Sequence, residues 1–138
     1  MLANRNARLD FSKADTGKMI DRWVQIRMSD KQRVALRETR DNLTKIAEWA
    51  RSIEQRGGRV IFLRMIVTGK VRDIENQLYP RAKYWDVFVR SQTSPSIDVA
   101  DIPSFTKYQC PEGSHLDYRD VAGFSSDFAR LLKTMKVF

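Results

Sequence analysis

The alternation of hydrophobic and polar positions divides the chain into helical and extended segments. Over residues 29–55 apolar side chains recur at helical spacing without proline or glycine, and Gly57 and Gly58 follow, so a long helix is predicted to end there. The next run, residues 59–67, is rich in β-branched and aromatic side chains. Such runs are typical of parallel strands that are covered on both faces, and we predict a buried strand here.

The second half of the chain repeats this order with shorter elements. Their succession of helix, strand, loop and helix is typical of an α/β fold, in which helical crossovers join parallel strands. The predicted elements are helices over residues 72–78 and 81–91, a strand over 96–101, a loop over 102–114 and a final helix over 117–133 that Asp117 caps.

Residues 1–28 form a poorly defined N-terminal segment, with one short helix predicted around residues 19–26. We assign residues 29–138 to the α/β domain. Because only two strands are visible, the strand over residues 59–67 would keep one unpaired edge. Three candidates could complete the sheet: an N-terminal half outside this chain, a second copy that forms a homo-oligomer, or a strand within residues 1–28.

Composition narrows the class of protein. The 138 residues have 42% hydrophobic and 30% charged side chains, as expected for one globular domain. Cys110 is the only cysteine and His115 the only histidine, which excludes an intrachain disulfide and a structural zinc site, so we expect no metal and no cofactor. Charged residues interrupt the apolar runs of the N-terminal segment, so no signal peptide or membrane span is predicted and a cytoplasmic location is expected.

The formal net charge of +8 could attract nucleic acid. However, no two basic residues are adjacent, and acidic residues interrupt each basic stretch. A solvated basic surface is the simpler interpretation, and nucleic-acid binding is the least favoured of the functions considered.

The segment from Cys110 to Asp117, with the sequence CPEGSHLD, carries the candidate chemistry. Pro111 and Gly113 suit a tight turn that would present His115 at the start of the last helix. A histidine so placed is a candidate general base, and Glu112 could accept a hydrogen bond from its other ring nitrogen. The alternative is an exposed histidine that only flanks the helix.

Four stretches resemble the C-terminal portion of the SGNH (GDSL-like) hydrolases, over about residues 35 to 135. They are residues 56–64 (RGGRVIFLR), 79–81 (YPR), 84–86 (YWD) and 110–116 (CPEGSHL). The resemblance implies a three-layer flavodoxin-like parallel sheet, of which this chain would hold the C-terminal part with about two strands. It also implies that His115 corresponds to the catalytic base and Glu112 to its aspartate partner, with a small ester as substrate. Glutamate in place of aspartate is a departure from the family pattern.

A larger departure is that no Gly-Asp-Ser block, the nucleophile block of that family, occurs in the 138 residues, and neither does a block for its oxyanion donors. Ser114 and Cys110 are not favoured as substitutes, because neighbours on a turn usually diverge and a lone thiol is usually buried. We therefore expect a fragment that keeps the histidine end of an ester hydrolase or acyltransferase site and is inactive alone. The alternative is a non-catalytic interaction module that completes its sheet through self-association or a partner.

Arg64 lies unexpectedly within the predicted strand over residues 59–67. It could reach the active-site edge of the sheet, or pair with Asp98 or Asp101 of the next strand. The sequence leaves these alternatives open.

Overall fold

The computed structural model describes residues 9–136, without the side chains of residues 30–41. Five α-helices and two strands lie within that range, joined by short 3₁₀ turns. In chain order they are α1 (Thr16–Arg27), α2 (Asp30–Glu54), β1 (Phe62–Arg64), α3 (Gly69–Leu78), α4 (Trp85–Arg90), β2 (Ser96–Asp98) and α5 (Tyr118–Thr134).

The start of the described chain is helical. A 3₁₀ turn over Phe11–Lys13 leads to α1, where the Asp15 side chain accepts a hydrogen bond from the N–H of Lys18 at 3.1 Å. The helix predicted around residues 19–26 is confirmed. Residues 9–28 contain no strand, so the described part of the N-terminal segment does not complete the sheet, and residues 1–8 lie outside the described residues.

The long helix is confirmed as α2, and Gly57 follows it with a φ of +85°, the left-handed conformation that glycine adopts most readily. The strand predicted over residues 59–67 is wrong in extent, because β1 covers only Phe62–Arg64. Its ladder matches β2 residue for residue in parallel register, with Leu63 opposite Ile97. A strand extends only as far as a neighbour pairs with it, and β2 is the one neighbour among the described residues.

The second strand is also shorter than the predicted range of residues 96–101. It ends at Asp98, and Val99–Asp101 form a 3₁₀ turn. The Asp98 carboxylate accepts the N–H of Ala100 at 3.0 Å and caps that turn. Such a local side-chain bond competes with the strand ladder for the backbone donor, which explains the early end.

Helices cover both faces of this small sheet. On one face the Phe62 ring meets the Phe88 ring of α4 edge-on at 4.7 Å. On the other face Leu63 packs against a buried cluster that includes Phe124 of α5. The remaining members of that cluster are Ile66, Val99, Phe105, Tyr108 and Cys110. Residues 9–136 therefore have an α/β architecture with a two-stranded parallel sheet.

The start of the described chain packs against the last helix. The N–H of Phe11 donates to the Asp117 carboxylate at 3.0 Å, and the N–H of Tyr118 donates to the Leu9 carbonyl at 2.9 Å. Phe11 is buried at this contact. Within residues 9–136 no helix combines the length and apolar character that a bilayer span requires.

Candidate active site

The loop that carries the candidate residues is tied to the chain segment after β1. The Thr68 hydroxyl donates to the Cys110 carbonyl and accepts from the Cys110 N–H, each at 3.0 Å. The N–H of Thr68 also donates to the Gly113 carbonyl at 2.9 Å. These bonds hold residues 110–113 near the carboxyl ends of the two strands, the end where open α/β sheets bind ligands.

Gly113 is required at this loop for two separate reasons. Its φ of +97° lies in the region that residues with a side chain rarely adopt. A Cβ there would also lie 2.2 Å from Cγ2 of Val71, a fully buried residue of α3. The backbone of the loop therefore rests directly on α3, which limits where Glu112 and His115 can lie.

The structure brings together the two residues that the sequence singled out. Nδ1 of His115 lies 2.8 Å from Oε1 of Glu112. The Glu112 side chain is 5% exposed, whereas the His115 side chain is 63% exposed. An ionised carboxylate only accepts hydrogen bonds, so Nδ1 carries the proton and Nε2 of the neutral ring has a free lone pair. Nε2 makes no hydrogen bond with any described residue.

Glu112 is held as a carboxylate by several donors. Besides the imidazole, it accepts from the Ser114 hydroxyl at 2.9 Å, the Ser114 N–H at 3.1 Å and the His115 N–H at 2.5 Å. Burial of Glu112 favours the protonated form, but these hydrogen bonds outweigh it and hold the pKa of the carboxyl below its usual range. The group that orients His115 is thus ionised and fixed in place.

Ser114 behaves differently from the sequence expectation. The side chains of Ser114 and His115, neighbours on the turn, do not diverge: the Ser114 hydroxyl lies 2.9 Å from Nδ1 of His115. It lies on the carboxylate side of the ring and bonds both oxygens of Glu112, so it positions the carboxylate and is not aligned with Nε2 as a nucleophile. This role could have been anticipated, since an acceptor side chain two residues before a serine on a turn often binds its N–H and hydroxyl.

Cys110 is a buried thiol, as the sequence predicted. Its Sγ lies 3.6 Å from the Ile66 carbonyl. Burial, and next the charge of Glu112, raise the pKa of the thiol to about 11. The thiolate that a cysteine nucleophile requires is therefore scarce at neutral pH.

Arg64 pairs across the sheet, with Nη1 lying 2.8 Å from Oδ2 of Asp98. This resolves the alternatives left open by the sequence in favour of the neighbouring strand. Sequence reasoning missed the Thr68 tie to Cys110, which joins residues 42 positions apart and has no local sequence signal.

No cluster of three or more His, Cys, Asp or Glu side chains suited to a metal ion occurs in the described part of the chain. Comparisons with known protein families, curated proteins and solved structures found no match to this chain.

Proposed function

We propose that His115 and Glu112 are the base and its orienting carboxylate in an ester hydrolase or acyltransferase site of the SGNH type. The observation that carries the proposal is the contact of Nδ1 with the buried Glu112 carboxylate at 2.8 Å, which leaves Nε2 of an exposed imidazole available. In a serine hydrolase a carboxylate holds the Nδ1–H of the histidine in this way, so that Nε2 can accept a proton. The three-layer flavodoxin-like sheet of that family belongs to the same proposal.

The chemistry that follows is acyl transfer from a small ester. A serine hydroxyl attacks the acyl carbon while Nε2 of His115 takes its proton, and Glu112 stabilises the imidazolium that forms. The imidazolium then gives the proton to the departing alcohol oxygen as the ester bond breaks. Water, activated by the same Nε2, releases the acid from the acyl-serine and restores the hydroxyl.

The serine and the oxyanion donors must come from outside these 138 residues, because no Gly-Asp-Ser block occurs among them. We propose that the segment which supplies them pairs in parallel with β1 along the edge that β2 leaves unpaired. In a parallel sheet the carboxyl ends of neighbouring strands lie together. A nucleophile that follows the incoming strand would thus emerge at the edge that holds the His115 loop.

A cleft along β1 supports this position for the incoming segment. Its volume is about 330 Å³, and the three consecutive residues of β1 line it. Because Phe62 and Leu63 point to opposite faces of the sheet, a cleft that touches both runs along the strand edge. The other lining residues are mainly apolar or aromatic, including Ile46 of α2 and Trp85 of α4. An extended apolar segment would form hydrogen bonds with the backbone edge of β1 and would pack its side chains against these walls.

The first test concerns the histidine alone. Since the chain has one histidine, ¹⁵N NMR of the full chain reports His115 without ambiguity. We expect the neutral ring to carry its proton on Nδ1, and Glu112→Gln to shift the tautomer balance toward Nε2–H. A neutral ring already protonated on Nε2 in the unaltered chain would contradict the proposed base.

The second test concerns the reaction. A tagged copy of the chain, expressed in its own host and purified with whatever completes it, is treated with a fluorophosphonate probe that labels activated serines. We expect a labelled serine outside the 138 residues, lost in His115→Ala and kept in Ser125→Ala, a change at an exposed position of α5. Labelling that ignores His115→Ala, or no labelled serine in any form, would overturn the proposal.

A second candidate function rests on the cleft alone: an interaction module that binds an extended apolar segment at the β1 edge and performs no chemistry. It predicts a stable complex without serine labelling. Sedimentation of the purified chain separates self-association from binding of a different protein. A monomer that is well behaved over a wide concentration range counts against a second copy as the occupant.

A further inference from the structure

A polar cleft opens beside the carboxyl ends of both strands. Its volume is about 230 Å³. Arg64 and Asp98 of the sheet line one side, while Arg72 and Asn76 of α3 line the other, one helical turn apart. Open α/β sheets bind ligands in the crevice at this end of the strands.

Most of the charge around the cleft is already matched. The Asp98 carboxylate is buried and bonds Nη1 of Arg64 at 2.8 Å. Arg81 lines the cleft too, but its guanidinium is held by Asp101, with Nη2 to Oδ2 at 2.6 Å, and by Asp86 at 3.0 Å. These ion pairs hold the side chains of the cleft walls in place, and each of the three aspartates is paired with an arginine.

Arg72 is the exception. It is half-buried, yet its guanidinium makes no hydrogen bond or ion pair with any described residue. Only Nη1 among the guanidinium nitrogens of Arg64 is bonded to a described acceptor. The cleft therefore presents guanidinium donors from both walls that no described residue uses, with the Asn76 amide one helical turn from Arg72.

We propose that this cleft binds a small oxyanion, the carboxylate or phosphate group of a small molecule, between Arg72 and Arg64. A guanidinium matches such groups with two parallel N–H donors, and hydrogen bonds of this charged kind are stronger than neutral ones. The Asn76 amide supplies a further donor from the same face of α3. This inference does not depend on the proposed acyl-transfer function.

The experiment is a titration of the full chain with inorganic phosphate and, separately, with acetate, at constant ionic strength adjusted with chloride. Two-dimensional ¹H–¹⁵N spectra follow the amides of Met65, Val67, Ala100 and Arg72 and the side-chain N–H groups of arginine. We expect saturable shifts confined to these groups. The comparison of phosphate with acetate identifies the preferred oxyanion.

The variant Arg72→Gln removes the unused charge but keeps a good helix former. We expect it to weaken binding by about tenfold or more, the loss that follows from one charge-assisted hydrogen bond. Arg90→Gln is the matched control, since it makes the same substitution and the same change in net charge at an exposed position outside the cleft. Shifts that are spread over the whole surface, or equal affinity of the two variants, would overturn the proposal. Either result would mean that the anion responds only to the overall positive charge of the protein, +8.

Discussion

At the residue scale, Glu112 is both buried and ionised, and its hydrogen bonds explain why a buried carboxyl keeps its charge. Its carboxylate is surrounded by donors from Ser114 and His115, so the charged form is favoured in the folded chain. A folded-state pKa below the unfolded one means that the charge stabilises the fold at neutral pH, and that this contribution is lost as pH falls through the lowered pKa. Acid should therefore weaken this loop.

We predict that Glu112→Gln lowers the free energy of unfolding by about 1–3 kcal/mol at pH 7, the cost of losing hydrogen bonds to a charged group. The difference from the unaltered chain should begin to shrink near the ordinary glutamate pKa of about 4.3, where the unfolded chain takes up a proton, and should be lost as pH falls through the lowered pKa of the folded state. Urea denaturation at several pH values measures it. Glu48→Gln, at an exposed position of α2, should show little dependence on pH. A gap between Glu112→Gln and the unaltered chain that stays constant down to pH 2 would contradict the role of the charge.

Gly113 and Gly69 allow the two costs of replacing a glycine to be separated. Both have positive φ, at +97° and +57°, but only a Cβ at Gly113 meets another group, 2.2 Å away. We predict that Gly69→Ala costs about 1–2 kcal/mol from backbone strain. Gly113→Ala should cost about 1–3 kcal/mol more, because of overpacking against Val71. Thermal and urea unfolding of both variants give the comparison, and equal losses would rule out the close packing of the loop on α3.

At the element scale, the two strands end for different reasons: β1 ends where no described neighbour pairs with it, and β2 ends because of its own last residue. The apolar run over residues 59–67 contains the strand, but only three residues of it find a partner. Val99 and Ala100, although predicted as strand, enter a 3₁₀ turn because Asp98 captures the Ala100 N–H. The long helix α2 is less sensitive to neighbours, since its hydrogen bonds are local, and it follows the predicted range within one residue at each end. The helix predicted over residues 81–91 is wrong in extent, because a 3₁₀ turn over Arg81–Lys83 precedes α4.

The tie between Thr68 and Cys110 connects the segment after β1 to the loop of the candidate site. We predict that Thr68→Val lowers the free energy of unfolding by about 1–3 kcal/mol, because the buried N–H and carbonyl of Cys110 lose their partner. Thr68→Ser keeps the hydroxyl and should restore most of the loss. Urea denaturation measures stability, and the ¹⁵N shifts of His115 report whether the Glu112 contact loosens. Full stability of Thr68→Val would remove this tie from the explanation of the site.

At the scale of the whole molecule, Asp117 links the start of the described chain to its last helix. The carboxylate accepts the N–H of Phe11 and of Arg119, each at 3.0 Å, and bonds the Arg119 guanidinium at 2.7 Å. The guanidinium, followed by the backbone N–H of Arg119, holds the pKa of Asp117 well below its usual range. One side chain thus caps α5 and anchors residues 9–13.

We predict that Asp117→Asn lowers the free energy of unfolding by about 1–3 kcal/mol. It should also speed hydrogen exchange at the amide of Phe11, 106 positions away in sequence. Asp120→Asn, in the first turn of the same helix, changes the charge equally but leaves the Phe11 contact intact, so it should lose about 0.3–1 kcal/mol. Equal rates of hydrogen exchange at the Phe11 amide in the two variants would contradict the role of Asp117 as the anchor.

The sequence by itself determined the α/β order of elements, the long helix α2, the capped helix α5, and the spacing that lets Glu112 meet His115 three residues later. These features are local: helical periodicity, capping and a turn act over a few residues, so neighbouring side chains encode them. Only the tertiary structure decided how far β1 extends, that Thr68 holds the loop, and that the guanidinium of Arg72 meets no counterion among the described residues. Each of these depends on which distant backbone or charge approaches, and that is settled only when the whole chain packs.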